Sequence, residues 1–173
     1  WSRILNNTNS RIILKNSIID NEEINQNLKK KFLKNHVQED KIHILSFQKE
    51  GFDHLSLYNE IDLALDTFPY NGVTTTFESA LMGVPVLTLR GFNFNSRCGE
   101  SINKNLQLEN FIAENYNDYY AKALKFCENK NYLSDLRKEL RNKAVSSPLF
   151  NNNNFALIFS KKIKTIWEKY LEG

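Results

Sequence analysis

Apolar positions along this chain alternate between short continuous runs and stripes at helical spacing. Arg11-Ile12-Ile13-Leu14-Lys15 is compact, apolar and rich in β-branched residues, and it predicts a strand. Asp20 with Glu23 three positions on has the form of a capping box, which predicts a helix start. Ile24, Leu28 and Phe32 then recur every fourth residue, placing one buried stripe on that helix. A second strand is predicted at Ile42-His43-Ile44-Leu45-Ser46-Phe47, a short helix from Asp53-His54-Leu55, and a third strand at Ile61-Asp62-Leu63-Ala64-Leu65-Asp66. Thr74 to Met82 reads as a helix stopped by Gly83 and Pro85, with Val86-Leu87-Thr88-Leu89 as the fourth strand behind it. The loop Arg90-Gly91-Phe92-Asn93-Phe94-Asn95 leads into a helix near Ser96, and Ile112-Ala113 forms a last short strand. The remainder is helical. Tyr120, Leu124 and Cys127 mark one face, and Tyr132, Leu133 and Leu136 another. After Asn151-Asn152-Asn153-Asn154, the residues Phe155, Ile158, Phe159, Ile163, Ile166, Trp167 and Tyr170 fall on one stripe. That stripe predicts a final helix packed along its whole length, on this lobe or on another.

Strands that alternate with helices, each strand a continuous apolar run, imply a parallel sheet covered on both faces. The expected class is therefore α/β: a doubly wound, mostly parallel, Rossmann-like sheet ending in a helical segment. Its 173 residues suit one such domain. We divide it into a Rossmann-like lobe, residues 1–150, and a carboxyl-terminal amphipathic helix, residues 151–173. Trp1-Ser2-Arg3-Ile4-Leu5 reads as a helix already under way, so the lobe is expected to lack its first strand and helix and to belong to a longer protein.

Composition narrows the partners. A net charge of +3 is mild, and Lys29-Lys30-Lys31 fits the solvated face of a helix. No basic and aromatic pattern of a nucleic-acid reader accompanies it. Nothing approaches the ~18 apolar residues of a membrane span. Cys98 and Cys127 have neither metal-ligand spacing nor a disulfide framework, which points to a reducing cytoplasm. Asp62 and Asp66 flank the third strand without a second acid or an Asp-x-Asp pair, so neither a metal nor another cofactor is expected.

In doubly wound sheets ligands bind outside the carboxyl ends of the strands. There the third strand runs through Thr67-Phe68-Pro69-Tyr70-Asn71-Gly72-Val73-Thr74-Thr75-Thr76 straight into a helix. Asn71-Gly72 supplies a bend, and Thr74 or Thr75 can cap the helix. The leading N–H groups and the positive end of the helix dipole then form an anion site. The threonines serve as caps, as phosphate donors, or both. Glu78, one turn further, is either a solvated glutamate or an acceptor for ribose hydroxyls. His54 is structural or touches a ligand at the same edge. Arg97 either faces a diphosphate or ties its loop down through Glu100 or a carbonyl.

Leu65-Asp66-Thr67-Phe68-Pro69-Tyr70-Asn71-Gly72-Val73-Thr74-Thr75 and Gly83-Val84-Pro85-Val86-Leu87-Thr88-Leu89 closely resemble the O-linked N-acetylglucosamine transferase family, which includes the plant Spindly proteins. Ser96-Arg97, Ser147-Pro148-Leu149-Phe150, Trp167 and Tyr170 extend the resemblance over nearly the whole chain. It implies the carboxyl-terminal lobe of a GT-B enzyme that transfers a sugar from a UDP donor to protein Ser or Thr hydroxyls, inverting the anomeric centre without a metal. It also implies an amino-terminal lobe and tetratricopeptide repeats as partners. By this resemblance Thr74 and Thr75 bind the diphosphate and stabilise the leaving group, and Glu78 takes the ribose-binding position. His54 lies near the nucleoside, and the backbone around Lys49 meets the uracil edge. Val73 stands where the animal enzymes have histidine, Glu78 replaces aspartate, and Gly51 falls where a lysine contacts the nucleoside. The general base and two further donor contacts belong to segments outside this chain. Acceptors other than protein hydroxyls (glycan, lipid or Asn) and a non-catalytic UDP-sugar-binding module are the alternatives.

Overall fold

A computed structural model describes residues 1–15, 21–45 and 51–172, with the backbone alone described at 51–53. Every strand pair in it is parallel. β1 (Ile12–Lys15) pairs with β2 (Ile42–Leu45), with Ile12 beside Ile42 and Lys15 beside Leu45. β3 (Ala64–Leu65), β4 (Val86–Leu89) and β5 (Ile112–Ala113) form a second sheet in the order β3-β4-β5. The helices between them are α1 (Ser2–Asn6), α2 (Glu22–Lys34), α3 (Gly51–Ser56), α4 (Thr74–Leu81) and α5 (Cys98–Asn105). α6 (Tyr116–Glu128), α7 (Lys130–Ser146) and α8 (Asn152–Leu171) follow β5. Parallel strands with helical connections are the α/β class that the hydrophobic pattern predicts. Between the facing edges of β1 and β3 runs a groove of about 750 Å³, lined by residues 10–15 and 60–65 and floored by Ile4, Leu5 and Phe126.

Several elements differ from the sequence expectation for identifiable reasons. β3 is shorter than its apolar run because its pairing with β4 begins only at Ala64 beside Val86; ahead of it, Arg137 of α7 takes the carbonyls of Tyr58 and Ile61, each at 2.7 Å. Asn21 caps α2, its side chain accepting from the N–H groups of Glu23 (2.9 Å) and Ile24 (3.2 Å); Asp20 lies outside the described residues. Only the carboxyl-terminal half of the α2 stripe is covered: Phe32 is buried, Leu28 half-buried and Ile24 exposed. α5 begins at Cys98 because Ser96 is occupied with the preceding loop, its hydroxyl accepting from the N–H groups of Phe92 and Asn93.

The main core lies around β4 and β5, where α5, α6 and α7 close over Leu87, Ile102, Leu106, Phe111 and Leu140. Phe111 stacks flat on Phe126 of α6 with ring centroids 4.2 Å apart. A smaller cluster of Leu5, Phe32, Val37 and Ile42 joins α1, α2 and β2. α8 is the clear departure: each of its residues is exposed, including Trp167 at 58% and Tyr170 at 75%. The apolar stripe is real, but this lobe does not cover it.

Because Phe111 is wholly buried, Phe111→Ala should lower the unfolding free energy by roughly 3–5 kcal/mol through lost burial and the cavity left behind. Phe159→Ala on exposed α8 should change it by less than about 0.5 kcal/mol. Urea titrations of the two variants check the contrast.

Candidate functional site

The site begins where β3 ends. Asp66 follows the strand's last residue and is buried. Its Oδ1 accepts the Gly72 N–H at 2.8 Å, and its Oδ2 accepts the Thr88 hydroxyl at 2.7 Å. The Thr67 N–H is a third donor to this carboxylate. Burial pushes the Asp66 pKa up, and these hydrogen bonds work against that shift. The buried Asn71 side chain donates to the Thr67 carbonyl (2.9 Å) and accepts from the Gly99 N–H (3.3 Å). Its own N–H goes to the Asn95 carbonyl at 3.1 Å. The Thr67 hydroxyl closes the turn on the Tyr70 carbonyl. Gly99 is confined by the same arrangement, since a Cβ there would lie 2.3 Å from Thr88 Oγ1 and 2.5 Å from Asp66 Oδ2. Gly72 is confined too, because a Cβ would meet Thr75 Oγ1 at 2.6 Å.

α4 opens without a side-chain cap. The capping position is Val73, and Thr74 and Thr75 are its first helical residues, so neither caps it as the sequence suggested. The buried Thr76 hydroxyl instead donates to the Gly72 carbonyl at 2.9 Å. The N–H groups of Thr76 and Phe77 bond to the Val73 carbonyl. Those of Val73, Thr74 and Thr75 meet no acceptor among the described residues, and all three residues are exposed. Three N–H groups without an acceptor among the described residues, two exposed threonine side chains and the positive end of a helix make a donor set suited to an anion.

Glu78 is not a freely solvated glutamate. Its Oε2 lies 3.2 Å from His54 Nε2, and both side chains are half-buried. Tyr58 stands edge-on to His54 at 6.0 Å and donates its hydroxyl to the Thr75 carbonyl at 3.2 Å. Burial, with the Glu78 charge adding to it, pushes the Tyr58 pKa up to about 12. His54, Tyr58, Thr75 and Glu78 thus form one cluster, and the first three line the groove between β1 and β3. Tyr58 went unnoticed in the sequence, although its place four residues after His54 is the spacing that brings two helical side chains together. Gly51 opens α3, and Lys49 lies outside the described residues.

Arg97 is tied to its own helix, donating from Nε to Glu100 Oε2 at 2.9 Å. Glu100 is buried, with Lys104 Nζ at 2.7 Å and Arg90 Nε at 3.0 Å, and Arg90 reaches on to Glu114. Burial alone would raise the Glu100 pKa, but the Arg97 and Lys104 hydrogen bonds and the Arg90 charge overcome it and hold it at about 2. The Arg97 contact is thus with Glu100, three residues along the same helix. Among the described residues no group of three or more His, Cys, Asp or Glu could hold a metal ion. No helix there is long and apolar enough to cross a membrane.

The loop lies at the carboxyl edge of a parallel sheet, the edge at which α/β lobes bind their ligands. Residues 1–158 match the model of glycosyl transferase family 41, and the chain belongs to that family. It is 32% identical over its full length to a tomato (Solanum lycopersicum) protein described as the probable UDP-N-acetylglucosamine–peptide N-acetylglucosaminyltransferase SPINDLY. Its identity to the Arabidopsis thaliana protein of the same description is 31%. The chain spans only 19% of the length of either relative. A mutant of the O-GlcNAc transferase from Thermobaculum terrenum superimposes with a TM-score of 0.91 at 28% identity, covering 98% of this chain and 32% of that one.

The Glu100 network gives a pH signature. A carboxylate whose folded-state pKa is depressed contributes stability above its unfolded value and loses it as pH falls through the folded one. Glu100→Gln should therefore be less stable than the unaltered protein at neutral pH. The deficit should narrow as pH drops from the ordinary value of 4.5 to about 2, as followed by thermal melts across that window.

Proposed function

We propose that this chain is the donor-binding lobe of an inverting glycosyltransferase that moves N-acetylglucosamine, or a related sugar, from UDP to Ser or Thr hydroxyls of proteins. The observation that carries this reading is the open donor set at the start of α4 in a family 41 chain, with Glu78 one turn further along the same helix. In such a transfer the acceptor oxygen attacks the anomeric carbon from the face opposite UDP. The bond to the β-phosphate oxygen breaks, and negative charge collects on the departing diphosphate. N–H groups and hydroxyls already fixed in place stabilise that charge without reorganising. Val73, Thr74 and Thr75 supply them, and this reading assigns them the work that a metal does in other transferases. Glu78 accepts the ribose hydroxyls, while His54 and Tyr58 shape the nucleoside end and Lys49 meets the base. Arg97 shapes the far wall through Glu100.

The acceptor's proton goes to a base outside this chain, which is therefore inactive by itself and works with an amino-terminal lobe and tetratricopeptide repeats. Relatives described as peptide transferases favour a protein acceptor. With Cys98 and Cys127 both free thiols, a reducing cytoplasm is the setting this reading assigns.

Calorimetry on the full-length protein with UDP, UDP-N-acetylglucosamine and UDP-glucose tests the proposal, and absence of any UDP binding would sink it. Replacing Thr74 and Thr75 together by Val should weaken UDP by ~1.5–3 kcal/mol, the range for hydrogen bonds to a charged group. An unchanged affinity would place the diphosphate elsewhere.

A further inference from the structure

The opening of α4 has the wrong residue to hold itself in place. Helix starts are commonly fixed by a Ser, Thr, Asp or Asn side chain at the capping position, and here that position is Val73. What fixes the turn comes from beneath it. Gly72 is gripped at both ends of its backbone: its N–H by Asp66 Oδ1 at 2.8 Å, its carbonyl by the Thr76 hydroxyl at 2.9 Å. Asp66 in turn is held by the Thr88 hydroxyl of β4, and Gly99 of α5 leaves room for that pair. A negative group under an anion site is electrostatically unfavourable, so its presence calls for an explanation. Its hydrogen bonds provide one. By taking the Gly72 N–H inward, Asp66 sets the direction in which the next three N–H groups leave the chain.

From this we infer that Asp66 is a positioning residue for the donor diphosphate: it never touches the ligand, but aims the N–H groups of Val73, Thr74 and Thr75 at it. The inference rests on the donor-lobe reading above, and it divides the site into two parts. The diphosphate end depends on Asp66. The nucleoside end, built on His54, Tyr58 and Glu78, is held by contacts in which the Asp66 side chain takes no part. Loss of Asp66 should therefore cost affinity for UDP and spare affinity for uridine.

The experiment compares uridine and UDP binding to the full-length protein and to its Asp66→Ala and Asp66→Asn variants, with thermal melts beside them. In Asp66→Ala the UDP affinity should fall about tenfold or more, the scale of one lost hydrogen bond to a charged group. Uridine affinity should stay within about twofold, since a change of that size is only a few tenths of a kcal/mol. Asp66→Asn keeps an acceptor for Gly72 without the charge, so its loss should be smaller and again confined to UDP. Equal losses for both ligands would reduce Asp66 to a structural residue and overturn the inference, as would no loss at all. If Asp66→Ala does not fold, the same criterion applied to Asp66→Asn decides. An unaltered protein that binds uridine and UDP equally overturns the inference, whereas one that binds neither overturns the donor-lobe reading with it.

Discussion

The contact between the Asp66 carboxylate and the Gly72 N–H organises more of this lobe than its single hydrogen bond suggests. A buried carboxylate is stable only if its oxygens are satisfied. Satisfying this one draws three elements to one point: the loop after β3 through Gly72 and Thr67, β4 through Thr88, and α5 through the close approach of Gly99. Removing one of the donors leaves a buried carboxylate less well satisfied. The loop geometry, the start of α4 and the packing of α5 are therefore coupled. Asn71 reinforces the coupling by bridging the loop to the N–H of Gly99.

Two buried acids in this lobe meet the same problem differently, and the difference shapes the site. Glu100 is surrounded by Arg90, Arg97 and Lys104, which hold its pKa at about 2. Asp66 has only neutral donors, and burial lifts its pKa. The cations next to the α4–α5 edge are thus engaged with Glu100 and Glu114. The attraction that α4 offers an anion is that of the helix dipole and its leading N–H groups, which act over a short range within the first turn. A site of that kind discriminates by geometry rather than by net charge, in keeping with the modest overall charge of +3.

Much of this could be read from sequence because apolar runs and turn residues are local signals. The five strands, the Asn71-Gly72 bend and the helix from Thr74 each follow from a few adjacent residues. The misses concern choices that distant partners decide. Whether Thr74 caps or Val73 does depends on Asp66 pulling Gly72 inward, six positions earlier in the chain. β3 starts only where β4 begins to pair with it, and the Ile61 carbonyl ahead of it goes to an arginine of α7, far along the sequence. Tyr58 joins the site through α4, a helix that no local pattern pairs with it. The stripe on α8 shows that amphipathicity identifies a face to be covered, but not what covers it.

The position of the site also has a topological cause. From β1 the chain moves outward to β2, then crosses back to β3 and continues the other way through β4 to β5. The reversal falls at the groove between β1 and β3. Helical connections leaving in opposite directions open a crevice at such a reversal, and ligands of doubly wound sheets collect there. His54, Tyr58 and Thr75 all line that groove. His54 and Tyr58 come from the segment that makes the return crossing, and Thr75 from the first helix beyond it. Two contacts tie the return crossing to α4: the Tyr58 hydroxyl donates to the Thr75 carbonyl, and His54 Nε2 lies 3.2 Å from Glu78 Oε2. The order of strands, more than any one residue, brings a histidine, a tyrosine and an uncapped helix to the same crevice.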